Sequence, residues 1–435
     1  MLSIPHKNRI FGLVDANNFY ASCEIAFNPK LKSFPVIVLS NNDGCVISRS
    51  PEAKQLGIKM GQPLFEIQEI VKKHKVKVFS SNFPLYADMS YRFHETLNLF
   101  FPKIEVYSVD ESFIDLTGLQ KFDLTLYCTY VRNTILQWLK IPSCIGIGKT
   151  KTLAKLANKY AKLHPELGGV YNSLGKEEEL LKNMPIEEVW GIGNKISAFL
   201  KEKNIFTPYD LIQQNDSWIK KNLKITGLRM VYELRGISCY ELESYNPQKK
   251  NTVVSRSFGI PITDIEDLEK ILMTFIEKLS EKLTKQKQYA TYIGVFIKSN
   301  PFNKKEPYYS NYQIKKLSTP SNSIRILYHN ANIILKNIYK QNIKYKKMGV
   351  MALDLISQSS LQRDLFDVNN YEKEELRNQT ILKLMDNYNQ SGKSKIQFAK
   401  NIQLPQNTWY PKQYHLSKRY TTDINEIPIA YVREF

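Results

Sequence analysis

Two adjacent carboxylates, Asp110 and Glu111, interrupt a run of strand-forming residues, Val106-Tyr-Ser-Val-Asp-Glu-Ser-Phe-Ile-Asp115. Neighbouring side chains of a regular strand face opposite ways. A pair meant to act together therefore needs a bend, or backbone that reorients one of the two. A second apolar run, Phe11-Gly-Leu-Val-Asp15, also ends in an acid. Strands that finish in acids can gather a small carboxylate cluster at one edge of a sheet, where two divalent metals could be held a few ångströms apart. Taken singly, an Asp at a strand end is more often a turn residue or a helix cap. The two stretches, together with motifs elsewhere in the chain, favour a cluster of Asp15, Asp110 and Glu111.

At 435 residues the chain can form several domains. Its surplus of 61 Lys and Arg over 42 Asp and Glu, a formal charge of +19, favours a polyanionic partner. A lysine-rich genome would produce the same excess, so charge alone does not identify that partner. No stretch approaches the ~20 apolar residues that span a bilayer, and no signal-peptide pattern follows the N-terminus. Five scattered cysteines have no metal-ligand spacing, and an odd number argues against a complete disulfide framework. A reducing, cytoplasmic setting is expected.

Along the chain, 10–15 reads as a buried strand and 16–24 as a helix with Phe19 and Tyr20 early in it. Residues 35–39 and 45–48 read as a hairpin across the turn signal Asn41-Asn-Asp-Gly44. Pro51 can open a helix carrying Glu52, Ala53 and Lys54. Helices follow at 64–73, 85–100, 124–139 and 151–162, with strands at 76–80, 104–109, 112–116 and 142–147. Ser143-Cys-Ile-Gly-Ile-Gly-Lys-Thr150 imitates a phosphate-binding P-loop, but Ser143 stands where that pattern needs glycine. A strand-to-helix turn is the better reading.

The segment 177–240 is mostly helical. Within it, Pro185–Leu200 has the look of a helix-hairpin-helix, in which Gly191 and Gly193 let backbone amides approach a phosphate and Lys195 adds charge. Gly-x-Gly also marks ordinary turns. A polar tether, 243–254, leads to a basic domain with the order β-α-β-β-α-β. Arg256, Lys298, Lys315 and Lys316 are its candidate phosphate contacts, each of which a solvated face would equally explain. Gln362-Arg-Asp-Leu365-Phe366 follows that domain. Residues 371–388 read as a helix and 396–399 as a short strand. Trp409, Tyr414 and 416–422 lie in the tail.

The motifs Asp15-Ala-Asn-Asn-Phe-Tyr-Ala-Ser-Cys-Glu24, Ser40–Lys54, Leu85-Tyr-Ala-Asp-Met-Ser90 and Tyr107-Ser-Val-Asp-Glu-Ser-Phe113 resemble those of Y-family translesion DNA polymerases. The likeness runs from about residue 9 to the C-terminus and is nearest the UmuC branch, the catalytic subunit of bacterial DNA polymerase V. The resemblance implies an α+β multidomain polymerase of the right-hand architecture. Its palm would take 1–24 and 82–175, its small fingers 25–81 and its helical thumb 176–242. A linker, 243–251, would lead to a little-finger domain at 252–356. A second linker with the clamp-binding motif, 357–370, and a UmuC-type tail, 371–435, would complete the chain.

The resemblance also implies roles. Asp15, Asp110 and Glu111 would be metal ligands and catalytic residues. Tyr20 would be the steric gate under the nucleotide sugar; read alone, it is equally a core tyrosine. Lys162 would meet the triphosphate, with Arg49 and Lys54 as further ligands. Here the sequence departs from DinB-like members, which carry Tyr and Arg where this chain has Pro51 and Lys54. Gln362, Leu365 and Phe366 resemble the pentapeptide that enters the sliding clamp, although an amphipathic surface turn would look similar. The implied function is error-prone translesion synthesis in SOS repair and mutagenesis, by nucleotidyl transfer from dNTP with two Mg²⁺ ions. The implied partners are primer-template DNA, a UmuD′-like dimer, RecA and the sliding clamp. Competing classes are a non-catalytic DNA-binding scaffold subunit and a two-metal nuclease or cyclase.

Overall fold

The computed structural model describes residues 9–243, 248–303, 305–360 and 409–429, with a few positions between 376 and 388. They form two compact units. The first holds the described residues up to Glu243 together with those from Tyr414 onward; the second holds those from Gln248 to Gln413.

The first unit is built on β1 (Phe11–Ala16), which is buried throughout. After it come α1 (Phe19–Phe27), β2 (Val36–Leu39), β3 (Val46–Arg49), α2 (Pro51–Gln55), α3 (Gln68–Lys73) and β4 (Lys77–Ser80). Next are α4 (Phe83–Phe100), β5 (Ile104–Val106), β6 (Glu111–Asp115), α5 (Leu124–Leu139), β7 (Ser143–Gly148), α6 (Lys151–Leu163) and β8 (Val170–Asn172). One sheet has the order β5-β6-β1-β7-β8. It is covered on both faces, which is why β1 reads as a continuous apolar run. Val14, Ile145 and Ile147 face a core shared with α1, α4 and α5. Phe11, Leu13 and Phe113 face Ala154 of α6.

A smaller sheet, β3-β2-β4, stands beside the first. The alternating sides of β2 serve two cores. Val36 and Val38 join the larger one, while Ile37 and Leu39 pack with Val46, Ala53, Ile58 and Ile67. Ser50 caps α2 and Pro51 occupies its first turn, as the sequence suggests.

The close seat of α6 on β7 explains the P-loop imitation: Gly146 and Gly148, read as part of a strand-to-helix turn, lie within the strand itself. A Cβ on Gly146 would lie 2.0 Å from the Asn158 amide nitrogen and 2.3 Å from the Ala154 carbonyl oxygen. The glycine is therefore needed for α6 to seat on the sheet, and Thr150 caps that helix through the Leu153 N–H. Asn158 rivets the contact, donating from Nδ2 to the carbonyls of Leu13 and Cys144 at 3.2 and 2.7 Å.

Four helices follow: α7 (Glu177–Asn183), α8 (Asn194–Glu202), α9 (Pro208–Ile212) and α10 (Asp216–Leu234). The last is interrupted at Lys224, where φ is +61°. Their core includes Leu153, Leu156 and Ala157, so α6 joins the sheet to this helical cluster.

The second unit is β9 (Thr252–Ile262), α11 (Ile265–Lys285), β10 (Gln288–Ser299), β11 (Ser310–Ser321), α12 (Ile324–Ile338) and β12 (Tyr345–Ser357). This is the expected β-α-β-β-α-β order, folded into one antiparallel sheet, β11-β10-β12-β9. Ile293, Val295 and Ile297 of β10 join both helices in one core, and Trp409 enters it against Phe275. The tail read as one region, 371–435, is thus divided: Trp409 belongs to this unit's core, whereas Tyr414 onward belongs to the first unit. The expected helix 371–388 and strand 396–399 lie mostly outside the described residues. Among the described residues no helix is long and apolar enough to cross a membrane.

Candidate active site

The bend required by two neighbouring acids is present. β5 ends at Val106, earlier than the expected 109, because the Tyr107 and Ser108 amides both donate to the Glu111 carbonyl at 3.0 and 3.1 Å. Asp110 lies in that tight turn and Glu111 begins β6. Asp15 stands directly opposite Glu111 across the β1–β6 ladder, so the two side chains share a face. The Ala16 amide donates to the Asp110 carbonyl at 2.8 Å. All three acids therefore meet at one end of the sheet, though Asp15 is 95 residues from Asp110 by numbering.

Each carboxylate is engaged by a neighbour. Lys162 Nζ lies 2.5 Å from Asp15 Oδ1, and Lys155 Nζ lies 2.8 Å from Glu111 Oε2. Ser108 Oγ donates to Asp110 Oδ1 at 2.6 Å. Burial pushes the Asp15 carboxyl up, against the Lys162 ammonium, and a hydrogen bond with Glu111 pushes it further. Burial also works to raise Glu111, but the bonds from Asp15 and Lys155 hold it below its ordinary value. Lys155 was not singled out from the sequence. The available signal was its place seven residues before Lys162 on α6, two turns away on the same helix face.

Carboxylate oxygens are hard donors that suit Mg²⁺, so the donor chemistry fits the expected metal. Among the described residues no three His, Cys, Asp or Glu side chains form a group that could hold an ion. The acids are brought together but paired with two ammonium groups, because a cluster this buried needs opposite charge close by.

A cleft of about 300 Å³ opens beside them, lined by Asp15, Asp110, Tyr20, Arg49, Lys54 and Lys162 among others. Glu111 is not in its lining. The three triphosphate candidates thus converge, although they come from β3, α2 and α6. Arg49 is anchored by Nη1 to the Ile58 carbonyl at 2.7 Å. Burial lowers the Lys54 ammonium, and the charges of Arg49 and Lys162 lower it further. Such a crowd of cations is eased by an anion.

Tyr20 reaches the cleft because the chain reverses sharply after β1. Asn18 adopts a left-handed conformation, φ +53°, which Asn tolerates better than most residues. Phe19 is then buried and Tyr20 half-buried. The Tyr20 ring stacks on Tyr86 at 4.4 Å between centroids, and Phe83 meets it edge-on at 6.2 Å.

Behind these rings lies Glu24, 1% exposed. It accepts from Tyr86 OH at 2.7 Å and from Ser417 Oγ at 3.1 Å. Burial pushes its carboxyl up to about 7, partly opposed by those two donors. An acid raised on folding stabilises the fold while protonated, below its unfolded value near 4.5. That contribution fades as pH rises through about 7. Glu24→Gln stays neutral, so it is expected to lose less stability than the parent between about pH 5 and about pH 8. The difference should be on the order of 2 kcal/mol in urea unfolding. Parallel pH profiles for the two proteins would refute this assignment.

The candidate DNA contacts fall into three groups. Gly191, with φ +95°, Gly193 and Lys195 are exposed around the N-terminus of α8, while Ile192 between the glycines is buried and anchors the loop. In the second unit, Lys298 is opposite Lys347, and Lys316 is opposite Tyr292, on the sheet face away from Ile293, Val295 and Ile297. Arg256 and Lys315 pair with Met348 and Ile293 and so have the core-side parity. The four basic residues therefore do not share one face. Lys315 and Lys316 are neighbours on β11 and so alternate in face. The clamp-motif residues Gln362, Leu365 and Phe366 lie outside the described residues. All five cysteines are free thiols.

Comparison with known proteins converges on one family. Residues 14–159 match the impB/mucB/samB family, residues 249–365 its C-terminal domain, and residues 379–430 a domain of unknown function. The chain is 41% identical over 423 residues to protein UmuC of Salmonella typhimurium strain LT2, covering 96% of this chain and 99% of that protein. It is 39% identical over 426 residues to protein ImpB of Salmonella typhimurium, covering 97% and 99%. DNA polymerase IV of Oceanobacillus iheyensis is 26% identical over 423 residues, covering 94% and 95%. Among solved structures, a Y-family DNA polymerase chimera superposes with a TM-score of 0.64 at 22% identity, covering 80% of this chain and 99% of that one. An insertion ternary complex of Dbh DNA polymerase gives 0.55 at 22% identity, with the same coverage. The fold is the one these polymerases share.

Proposed function

Because the chain belongs to the impB/mucB/samB family and has the Y-family polymerase fold, we propose that it is a DNA-directed DNA polymerase subunit that copies damaged templates. The observation that carries the reading is the meeting of Asp15, Asp110 and Glu111 at one end of the sheet, beside a cleft walled by Tyr20 and three cations. In this reading the five-stranded sheet and its helices are the palm, and the small sheet is the fingers. The helices α7–α10 are the thumb, and the β-α-β-β-α-β unit is the little finger.

Asp15, Asp110 and Glu111 would hold two Mg²⁺ ions, with backbone carbonyls of 10–15 close to the second. When bound, the ions supply acidification of a primer 3′-hydroxyl and charge balance on the departing pyrophosphate. The protein's own residues do the rest. Arg49, Lys54 and Lys162 bind and orient the triphosphate of the dNTP, and Lys162 stands where leaving-group charge develops. Lys155 holds the Glu111 carboxylate toward the cluster edge. The Tyr20 ring lies beneath the sugar and excludes a 2′-hydroxyl. Gly191, Gly193 and Lys195 grip backbone phosphates without reading sequence. Lys298 and Lys316, on the open face of the second sheet, make further phosphate contacts, whereas Arg256 and Lys315 contribute from its edge.

An error-prone role in the SOS response, a cytoplasmic setting, and work with a UmuD′-like dimer, RecA and the sliding clamp complete the reading. The test is primer extension on a damaged template with Mg²⁺ and dNTPs, with and without the dimer and RecA. Extension past the lesion is the expected result. Tight primer-template binding with no extension in any combination would instead make the chain a DNA-binding scaffold subunit. Replacing Gln362, Leu365 and Phe366 together by alanine is expected to remove stimulation by the sliding clamp. Clamp-independent extension should stay within about twofold, since this reading gives the motif no part in the chemistry.

A further inference from the structure

The segment from Tyr414 to Tyr420 lies across the first unit through contacts of several kinds. The Tyr414 amide donates to Asp43 Oδ2 at 2.7 Å. His415 makes two bonds to one residue: its amide donates to Ser80 Oγ at 3.0 Å, and its carbonyl accepts from the Ser80 amide at 2.9 Å. Asn82 Nδ2 reaches Ser417 Oγ at 3.0 Å and the Lys418 carbonyl at 3.2 Å. The Tyr420 ring stacks on Phe27 of α1, 5.1 Å between centroids.

These contacts converge on the floor of the gate. Asn82 also caps α4, accepting from the Leu85 amide at 3.3 Å. Tyr86 is one residue further along α4. Its hydroxyl is fixed by Glu24 of α1, and Glu24 accepts its other hydroxyl from Ser417. The face of the Tyr86 ring supports Tyr20, tilted only 16° from it. Glu24, Asn82 and Ser417 are at most 9% exposed, so water does not readily replace a lost partner.

We propose that residues 414–420 act as a strap that sets the position of the Tyr20 ring, and so tunes discrimination between deoxyribose and ribose. Ser417, Glu24 and Tyr86 are positioning residues in this scheme: Ser417 holds Glu24, Glu24 holds Tyr86, and Tyr86 carries the gate. The inference rests on the reading of Tyr20 as the sugar gate. It assigns a task to part of the domain of unknown function matched at 379–430. The physical reason is tolerance. A flat ring excludes a hydroxyl by overlap, and overlap is lost when the ring can slide by a fraction of its thickness. A stacked pair held only by its faces permits that slide. A hydrogen bond at the far end of the lower ring opposes it.

The experiment compares incorporation of dNTP and rNTP by the active full-length protein and three variants. Tyr86→Phe keeps the supporting ring and removes its tether. Ser417→Ala removes the strap's hydroxyl, and Ser417→Thr restores one. The readout is the ratio of kcat/KM for dNTP to that for rNTP, which does not depend on the fraction of folded enzyme. Tyr86→Phe and Ser417→Ala are each expected to lower the ratio about tenfold, with Ser417→Thr recovering most of it. Tyr20→Ala, measured alongside, is expected to lower it far more. A wild-type ratio in both Tyr86→Phe and Ser417→Ala, with Tyr20→Ala collapsed, overturns the strap and leaves the gate standing. A wild-type ratio in Tyr20→Ala overturns the gate reading itself, and the strap falls with it.

Discussion

Asp110→Ala is expected to reduce primer extension by on the order of a thousandfold or more, while primer-template binding stays within about twofold. The substitution is local. The Asp110 side chain is engaged by Ser108, and its structural task is performed by the backbone carbonyl that accepts from Ala16. Alanine keeps that carbonyl. What disappears is one carboxylate at the mouth of the cleft that Tyr20 and Lys162 also line. Single-turnover extension and a separate DNA-binding titration would divide the two effects. Undiminished extension would remove the acid cluster from the chemistry, and with it the proposed use of the cleft.

Gly146→Ala is expected to cost about 3 kcal/mol or more, enough to leave a marginal protein largely unfolded. The added methyl would meet the Asn158 nitrogen at 2.0 Å, the Ala154 oxygen at 2.3 Å and the Asn158 Cα at 2.6 Å. All three are backbone atoms, so no side chain can turn away. Helix α6 must lift from the sheet. That shift would break the two Asn158 bonds and withdraw Lys155 and Lys162 from their acids. Gly193→Ala is the matched control, because a Cβ there meets nothing within 4 Å. Urea unfolding midpoints should differ sharply between the two. Similar midpoints would mean that the close seat of α6 is not needed for stability.

These two glycines show how far the sequence can be read. A strand, a turn and a helix were legible across Ser143–Leu163, because periods of two and of 3.6 residues are local properties. That Gly146 serves helix seating was not legible, since its need arises from the backbone of Ala154 and Asn158 on the next helix. The acid pair was legible as a bend, and the β-α-β-β-α-β unit was legible almost strand for strand. The opposite facing of Lys315 and Lys316 was legible too, because they are neighbours on one strand; that Arg256 takes the core-side parity was decided by its pairing with Met348.

The chain's residues by themselves determined where strands and helices form, which strands end in acids, and that a polyanion suits this surface. Tertiary structure alone decided which lysine neutralises which acid, that Tyr20 rests on Tyr86, and that Ser417 reaches Glu24 across 393 positions of sequence. The physical reason is one of range. Backbone preference and hydrophobic periodicity act within a few residues, whereas charge pairing, ring stacking and buried hydrogen bonds act between whatever surfaces packing brings within a few ångströms.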